Sequence, residues 1–175
     1  MPGIVIYGSQ YGTAKQYAEE LAKKTGFELK AYNDTFDINS YESIAYIGAI
    51  YASSVLGMKK AFARLGDCQG KKIAIATVGL ADPTDQEYVA GIEDGMKKEL
   101  PDEVFEHASL FHLRGAIDFA KLSFKHKTML KMFLKMTKGM PENERPDDMR
   151  AIVEANGQNV NFVDFDSLDQ IAACL

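Results

Sequence analysis

The residues best arranged to do chemistry lie near the start of the chain, in Gly8-Ser9-Gln10-Tyr11-Gly12-Thr13-Ala14. They follow an apolar run, Gly3 to Tyr7, and precede a segment of helical periodicity. A turn that leaves a strand and opens a helix aims several backbone N–H groups at one point. The helix dipole adds positive potential there, so an anion is favoured. Ser9 and Thr13 can add hydroxyl donors. The G-x-G-x-x-G of dinucleotide sites is absent, as is the Gly-Lys-Ser/Thr of nucleoside-triphosphate loops. A hydroxyl-rich loop with few glycines suits a terminal phosphate monoester instead. An ordinary strand–helix turn is the plain alternative on this motif alone.

The elements that must position this loop follow from apolar patterning. Runs of strand length alternate with helical patterns, the signature of a parallel α/β sheet. The first strand, Gly3 to Tyr7, is too apolar to be half exposed, so both faces are expected to be covered. Thr13 to Lys24 reads as a helix with Tyr17, Ala18, Leu21 and Ala22 on one face and Gly26 as its stop. Phe27 to Tyr32, Ser43 to Ala49, Lys72 to Val78 and Ser109 to Arg114 read as four further strands. Helices are expected around Met58 to Leu65 and Asp85 to Lys98, and over Ser167 to Cys174 with Asp166 or Ser167 as cap. Two more loops then fall at strand ends. After the third strand comes Ala49-Ile50-Tyr51-Ala52-Ser53-Ser54, and after the fourth Thr77-Val78-Gly79-Leu80-Ala81-Asp82.

About fifty residues separate the fifth strand from the final helix, where a simple five-strand fold needs far fewer. Within them Lys121 to Lys138 carries six lysines and His126 but no acid. At helical spacing Leu122, Met129, Leu130, Met132, Phe133 and Met136 share one arc, and Lys127, Lys131, Lys135 and Lys138 the other. Phe124 and Lys125 fall on the wrong sides, so the helix is expected to begin after them. A helix that covers a sheet edge, with its lysines solvated, is the plain reading. Pro141 to Asp148 reads as a loop.

Ser9-Gln10-Tyr11-Gly12-Thr13-Ala14 resembles the phosphate loop of the flavodoxin family, Thr/Ser-x-Thr/Ser-Gly-x-Thr/Ser. Ser9 and Gly12 match, whereas Tyr11 and Ala14 stand where the family usually has hydroxyls. The resemblance implies a doubly wound five-stranded parallel sheet, order 2-1-3-4-5, with FMN at the carboxyl ends of the strands beside the switch point. It implies the phosphate on Ser9, Gln10, Tyr11, Gly12, Thr13 and Ala14. The flavin ring is then expected between the two later loops, Ala49 to Ser54 and Thr77 to Asp82. Many flavodoxins stack the ring between Trp and Tyr, and this chain has no Trp. Tyr51, with Tyr88 as the alternative, is expected to wall one face. Within that superfamily the chain resembles the menaquinone-dependent protoporphyrinogen dehydrogenase group, through Ile47 to Ala49 and the basic, Met- and Leu-rich helix. In that group the insert lies near the flavin and is associated with substrate and membrane quinone.

The chain is expected to form one domain over 1–175, with an insert at about 116–158. Hydrophobic residues make up 46% and charged residues 26%, an ordinary globular balance. The net charge of −5 argues against nucleic acid as partner, since phosphate backbones need a net basic face. No run approaches the ~18 apolar residues of a membrane span, and a strand starting at Gly3 leaves no room for a leader, so a cytoplasmic location is expected. Cys68 and Cys174 form no C-x-x-C, and His107, His112 and His126 lack metal-ligand spacing, so no metal site is expected. No residue is assigned a catalytic role, although His112 and Arg114 end the fifth strand on the ligand side and are candidates to touch substrate. Two function classes stand: a carrier passing electrons between proteins, and an FMN enzyme oxidising protoporphyrinogen IX with a quinone acceptor, docked peripherally on membrane through 121–138. A degenerate fold acting as an interaction module is the third.

Overall fold

The computed structural model describes residues 2–51, 54–145, 150, 152–154 and 157–175. Five parallel strands form the central sheet: β1 (Gly3–Gly8), β2 (Glu28–Ala31), β3 (Ser43–Tyr51), β5 (Lys72–Gly79) and β6 (Ser109–Arg114). Their order is β2-β1-β3-β5-β6, which is the 2-1-3-4-5 order expected, and a short β4 (Ser54–Val55) folds back antiparallel on β3. The α-helices that lie wholly among the described residues are α1 (Thr13–Thr25), α2 (Met58–Phe62), α3 (Gln86–Glu99), α4 (Asp102–His107), α5 (Phe124–Lys138) and α6 (Leu168–Cys174).

Both faces of the sheet are covered, which explains strands that read as unbroken apolar runs. On one face Ile4, Ile6, Ile44, Tyr46 and Ile75 pack against Met58 and Phe62 of α2, Met96 of α3 and Val104 of α4. On the other, Val5, Ala45, Ile47, Ala74 and Ala76 pack against Tyr17 and Leu21 of α1 and Leu168 and Ile171 of α6. Alternate residues of each strand divide between the two clusters, as the pleat requires. The small alanines of β3 and β5 leave room for the Tyr17 ring. Gly26, at φ 73°, ends α1 by donating its N–H to the Ala22 carbonyl.

Several boundaries differ from the sequence reading. β2 excludes Phe27 and Tyr32, whose rings pack beneath Gly3 and Gly57. β3 runs on through Ile50 and Tyr51, because pairing with β4 satisfies their backbone. α2 stops at Phe62, short of Leu65. Ser167 stands at the N-cap position of α6, as one of the two expected residues, but its side chain makes no capping hydrogen bond; Asp164 caps a 3-10 turn, Phe165–Ser167, that leads into the helix. α5 starts at Phe124 and not after Lys125, because the Ser123 hydroxyl oxygen accepts the His126 backbone N–H at 3.3 Å and fixes the cap there. The expected loop 141–148 is described only to 145, where a 3-10 turn, Glu142–Glu144, occupies it.

Beyond β6 the chain forms a two-stranded antiparallel ribbon, β7 (Ala116–Ile117) with β8 (Val160–Asn161). α5 lies between the two. Its less exposed positions are His126, Leu130, Leu134 and the buried Thr137. Met132, Phe133 and Met136 of the expected apolar arc stay exposed, at 57%, 40% and 59%. The packing face is thus turned away from the one that periodicity indicates. Among the described residues no helix is long and apolar enough to cross a membrane.

One hydroxyl joins three parts of this architecture. Tyr17 Oη on α1 donates to the Arg114 carbonyl at the end of β6, 2.7 Å away, and accepts the Asp164 N–H at 2.9 Å. Burial pushes this phenol above its ordinary pKa, so it stays a donor. Tyr17→Phe strands both backbone groups and is expected to cost about 1–3 kcal/mol. Urea unfolding of the two proteins measures it, and equal midpoints would contradict the bridging role.

Candidate functional site

β1 and β3 are neighbours, yet the chain leaves β1 toward the α1 face and β3 toward the α2 face. Where consecutive connections diverge in this way a crevice opens at the carboxyl ends of the strands. Here it is a cleft of about 420 Å³. Its walls come from the loop after β1, the ends of β3 and β5, the chain from Gly115 to Asp118, and α5 as a roof.

The loop after β1 is shaped by two glycines. A Cβ on Gly8 would lie 1.9 Å from the Leu56 carbonyl oxygen, so the strand ends where only glycine lets the β4–α2 backbone close in. Gly12 sits at φ 97°, in the left-handed region, and turns the chain into α1. No side chain caps α1, and its first turn holds no acid. The N–H groups of Thr13, Ala14 and Lys15 have no acceptor within the helix, as at any helix start. Ser9 Oγ accepts the Gly12 N–H at 3.0 Å, which leaves the Ser9 hydroxyl hydrogen to donate. An uncapped, acid-free helix start opening into a cleft is suited to an anion.

Of the residues singled out in the sequence, Ser9, Gln10, Tyr11, Thr13 and Ala14 line the cleft together with Ala49, Ile50, Tyr51, Val78, Gly79 and Leu80. Gly12 shapes the turn without lining it. Ser54 faces elsewhere, its hydroxyl donating to the Tyr51 carbonyl at 3.2 Å. Thr77 is buried within the sheet, bonded to His112 Nδ1 at 2.8 Å. Ala81 is buried and Asp82 is turned to its own loop. There the Thr84 N–H and hydroxyl donate to its carboxylate and hold it below the usual carboxylate range. Ala52 and Ser53 fall outside the described residues. Tyr88 lies on α3 and does not line the cleft.

The two candidates at the end of β6 brace the site from behind. His112 bridges Thr77 and Glu93, with Nε2 3.2 Å from the Glu93 carboxylate. Arg114 donates from Nε and Nη2 to the Leu80 carbonyl, at 3.2 and 3.0 Å, and its guanidinium lies 3.6 Å from the Phe162 ring centroid. The Gly79 carbonyl accepts the Gly115 N–H at 2.6 Å. Since a peptide is planar and trans, this turns the Leu80 N–H away from β6, to the side where β3 ends.

The residue that sequence reasoning missed is His126. It lines the cleft from α5, with Nδ1 hydrogen-bonded to Tyr11 Oη and Nε2 2.8 Å from Tyr51 Oη. Both phenol rings meet the imidazole edge-on, at centroid separations of 5.5 Å. The Ser123 N–H donates to Tyr11 Oη at 3.4 Å. An arch of three side chains thus spans the cleft from the loop after β1 to the end of β3. A lone histidine within a lysine-rich helix carries no sequence signal for this; its place depends on the path of the chain after β6. Leu122, Met129 and Leu130 complete the roof.

Comparison with known proteins bears on these features. A family model described as a flavodoxin domain matches residues 4–144. Solved structures of similar shape include a flavoprotein from Bacteroides uniformis, 12% identical with a TM-score of 0.47, over 74% of this chain and 97% of that one. A single-site variant of the flavodoxin from Pseudomonas aeruginosa is 16% identical with a TM-score of 0.44, over 78% and 95%. Flavodoxin of Fusobacterium nucleatum bound to flavin mononucleotide is 17% identical with a TM-score of 0.42, over 57% and 67%. Among curated proteins no match was found. At such TM-scores the solved structures add no weight, and the assignment rests on the family model, which spans most of the chain. With that match, the strand order and the cleft at the switch point, the chain belongs to the flavodoxin domain family.

Proposed function

We propose that the chain binds one FMN across this cleft and carries electrons through it to a redox partner protein. The observation that carries the reading is the open start of α1, without cap or acid, at the mouth of a largely apolar cleft at the β1/β3 switch point. The residues present fit the group. A phosphate monoester would take the N–H groups at the start of α1 and the hydroxyls of Ser9 and Thr13. A flat ring system would lie between Ala49 to Tyr51 and Val78 to Leu80, with the Leu80 N–H offered to its polar edge. When bound, FMN supplies reversible one- and two-electron chemistry, while the chain sets its orientation and access. On this reading residues 1–175 are one domain, and about 116–158 an insert that roofs the flavin.

The purified chain is then expected to be yellow and to release FMN, not FAD, on denaturation. Thr13→Ala removes a donor to the phosphate and should weaken FMN binding by about 1–3 kcal/mol. Gly12→Ala meets no clash, since the added Cβ points into open space. Its cost is the left-handed backbone, about 1–2 kcal/mol. Fluorescence titration of FMN reads the Thr13 effect, and urea unfolding of the Gly12 variant reads the backbone cost. Full-strength FMN binding by folded Thr13→Ala would place the phosphate elsewhere.

One observation favours a second reading, the quinone-linked FMN dehydrogenase acting on protoporphyrinogen IX. Met129 lines the cleft, and next to it α5 leaves Met132, Phe133 and Met136 exposed, with Lys127, Lys131 and Lys138 on the opposite flank of the helix. A mobile-side-chain apolar strip beside a basic one suits an amphiphilic substrate or the anionic inner face of a membrane. Each lysine near such a surface contributes about 1 kcal/mol, largely removed by salt. Sedimentation with anionic vesicles should therefore fall with salt and on changing Lys127, Lys131 and Lys135 to Gln. Turnover of protoporphyrinogen with a menaquinone analogue is the companion assay. An FMN-loaded protein inactive in both leaves the carrier.

A further inference from the structure

We propose that Tyr51 is the proton donor to the molecule held in the cleft, and that His126 and Tyr11 resupply it from solvent. The inference rests on the flavin reading only for the identity of that molecule. It starts from the fact that both nitrogens of His126 are engaged, one by each tyrosine. A neutral imidazole has a single N–H, so one nitrogen donates and the other accepts. The Ser123 N–H can only donate, and it donates to Tyr11 Oη. That occupies one acceptor position on Tyr11 and favours giving its hydroxyl hydrogen to His126 Nδ1, since accepting a second N–H would turn that hydrogen out to solvent. On this arrangement the imidazole proton sits on Nε2 and is given to Tyr51 Oη, 2.8 Å away. With its oxygen accepting from His126, Tyr51 has its own hydrogen to give, and it lines the cleft. The chain of donors runs in one direction, from the loop after β1 into the site.

Tyr11 is 42% exposed, so its end of the chain meets water, whereas the Tyr51 end lies under α5. The transfer balances without a change in the protein's oxidation state. The Tyr51 O–H bond breaks and its proton passes to a basic atom of the bound molecule as that molecule gains electrons from its redox partner. The Nε2 proton moves to Tyr51 Oη, the Tyr11 proton moves to Nδ1, and water returns one to Tyr11. His126 finishes as the Nδ1–H tautomer. When the molecule gives up its electrons and its proton, the same steps run in reverse and restore the starting tautomer. A bridge that only pinned α5 in place would need the two bonds and not this direction.

The test has two parts. Imidazole nitrogen NMR on the labelled chain without FMN is expected to find His126 as the Nε2–H tautomer, and to find mixed tautomers in Tyr11→Phe. An even mixture in the wild type, or a pattern indifferent to Tyr11→Phe, overturns the assigned direction. The FMN-loaded wild type, Tyr51→Phe and His126→Gln are then reduced with dithionite in H2O and D2O. Glutamine can keep a donor and an acceptor toward the two phenols yet cannot relay a proton. Both variants are expected to retain FMN, to be reduced about 10²-fold more slowly and to lose the solvent isotope effect of the wild type. Unchanged rates and isotope effects in both overturn the relay. Wild type that takes up no FMN defeats the flavin reading instead, and the tautomer measurement alone then judges the relay.

Discussion

Everything about the site depends on the chain departing to opposite faces of the sheet after β1 and after β3. Side chains of the sheet point up or down and cannot fill the gap this leaves at the strand ends. The gap must be occupied by loops, by a ligand or by both. Gly8 lets the β4–α2 turn press against β1 from one side, and Gly12 swings α1 in from the other with its first N–H groups uncapped. The backbone thus supplies the polar contacts at the floor, where they are fixed by the sheet. Such donors need no reorganisation when an anion arrives.

Floor and roof are held in different ways. Behind the loop after β5, the Leu80 carbonyl is gripped by Arg114, and the Gly79 carbonyl by the Gly115 N–H. His112 adds the Thr77–Glu93 bridge beneath α3. Tyr17 ties the end of β6 to the approach to α6. These are contacts among buried or half-buried groups. α5, by contrast, meets the cleft through the side chains of His126, Met129 and Leu130, and its far end is joined to the chain beyond it by the Arg145 Nε–H donated to the Thr137 carbonyl at 3.1 Å. The floor is thus held by backbone and the roof by side chains.

The sheet was legible from sequence because Ile4-Val5-Ile6 and Ile44 to Ile47 are apolar on every side, which only a strand covered twice tolerates. The first and third helices, α1 and α3, were legible from their periodicity and from Gly26 and Asp85 at their ends. β4, β7 and β8 have two residues each, too few for any period to show. α4 has six, begins after Pro101 and buries only Val104. The loop after β1 could be read as an anion cradle because its chemistry lies in the backbone, which sequence order alone arranges. The His126 arch could not, because it joins residues brought together only by tertiary structure. The orientation of α5 was hidden for a related reason: periodicity reports which face is apolar, whereas the face that packs is the one carrying His126, bonded to Tyr11 and Tyr51, and the buried Thr137.

The pairing of Ala116 with Asn161 has a consequence for how such a chain can change over time. Residues directly opposite in an antiparallel pair lie about 5 Å apart. The segment between them therefore leaves the fold and rejoins it at nearly the same point, closed by its own ribbon. A closed excursion of this kind can lengthen, shorten or be exchanged with the sheet and the helices packed on it left in register. The core then evolves under the demands of folding, while the excursion answers to whatever comes to the mouth of the cleft. Two histories can run within one gene, divided at a single pair of opposed residues.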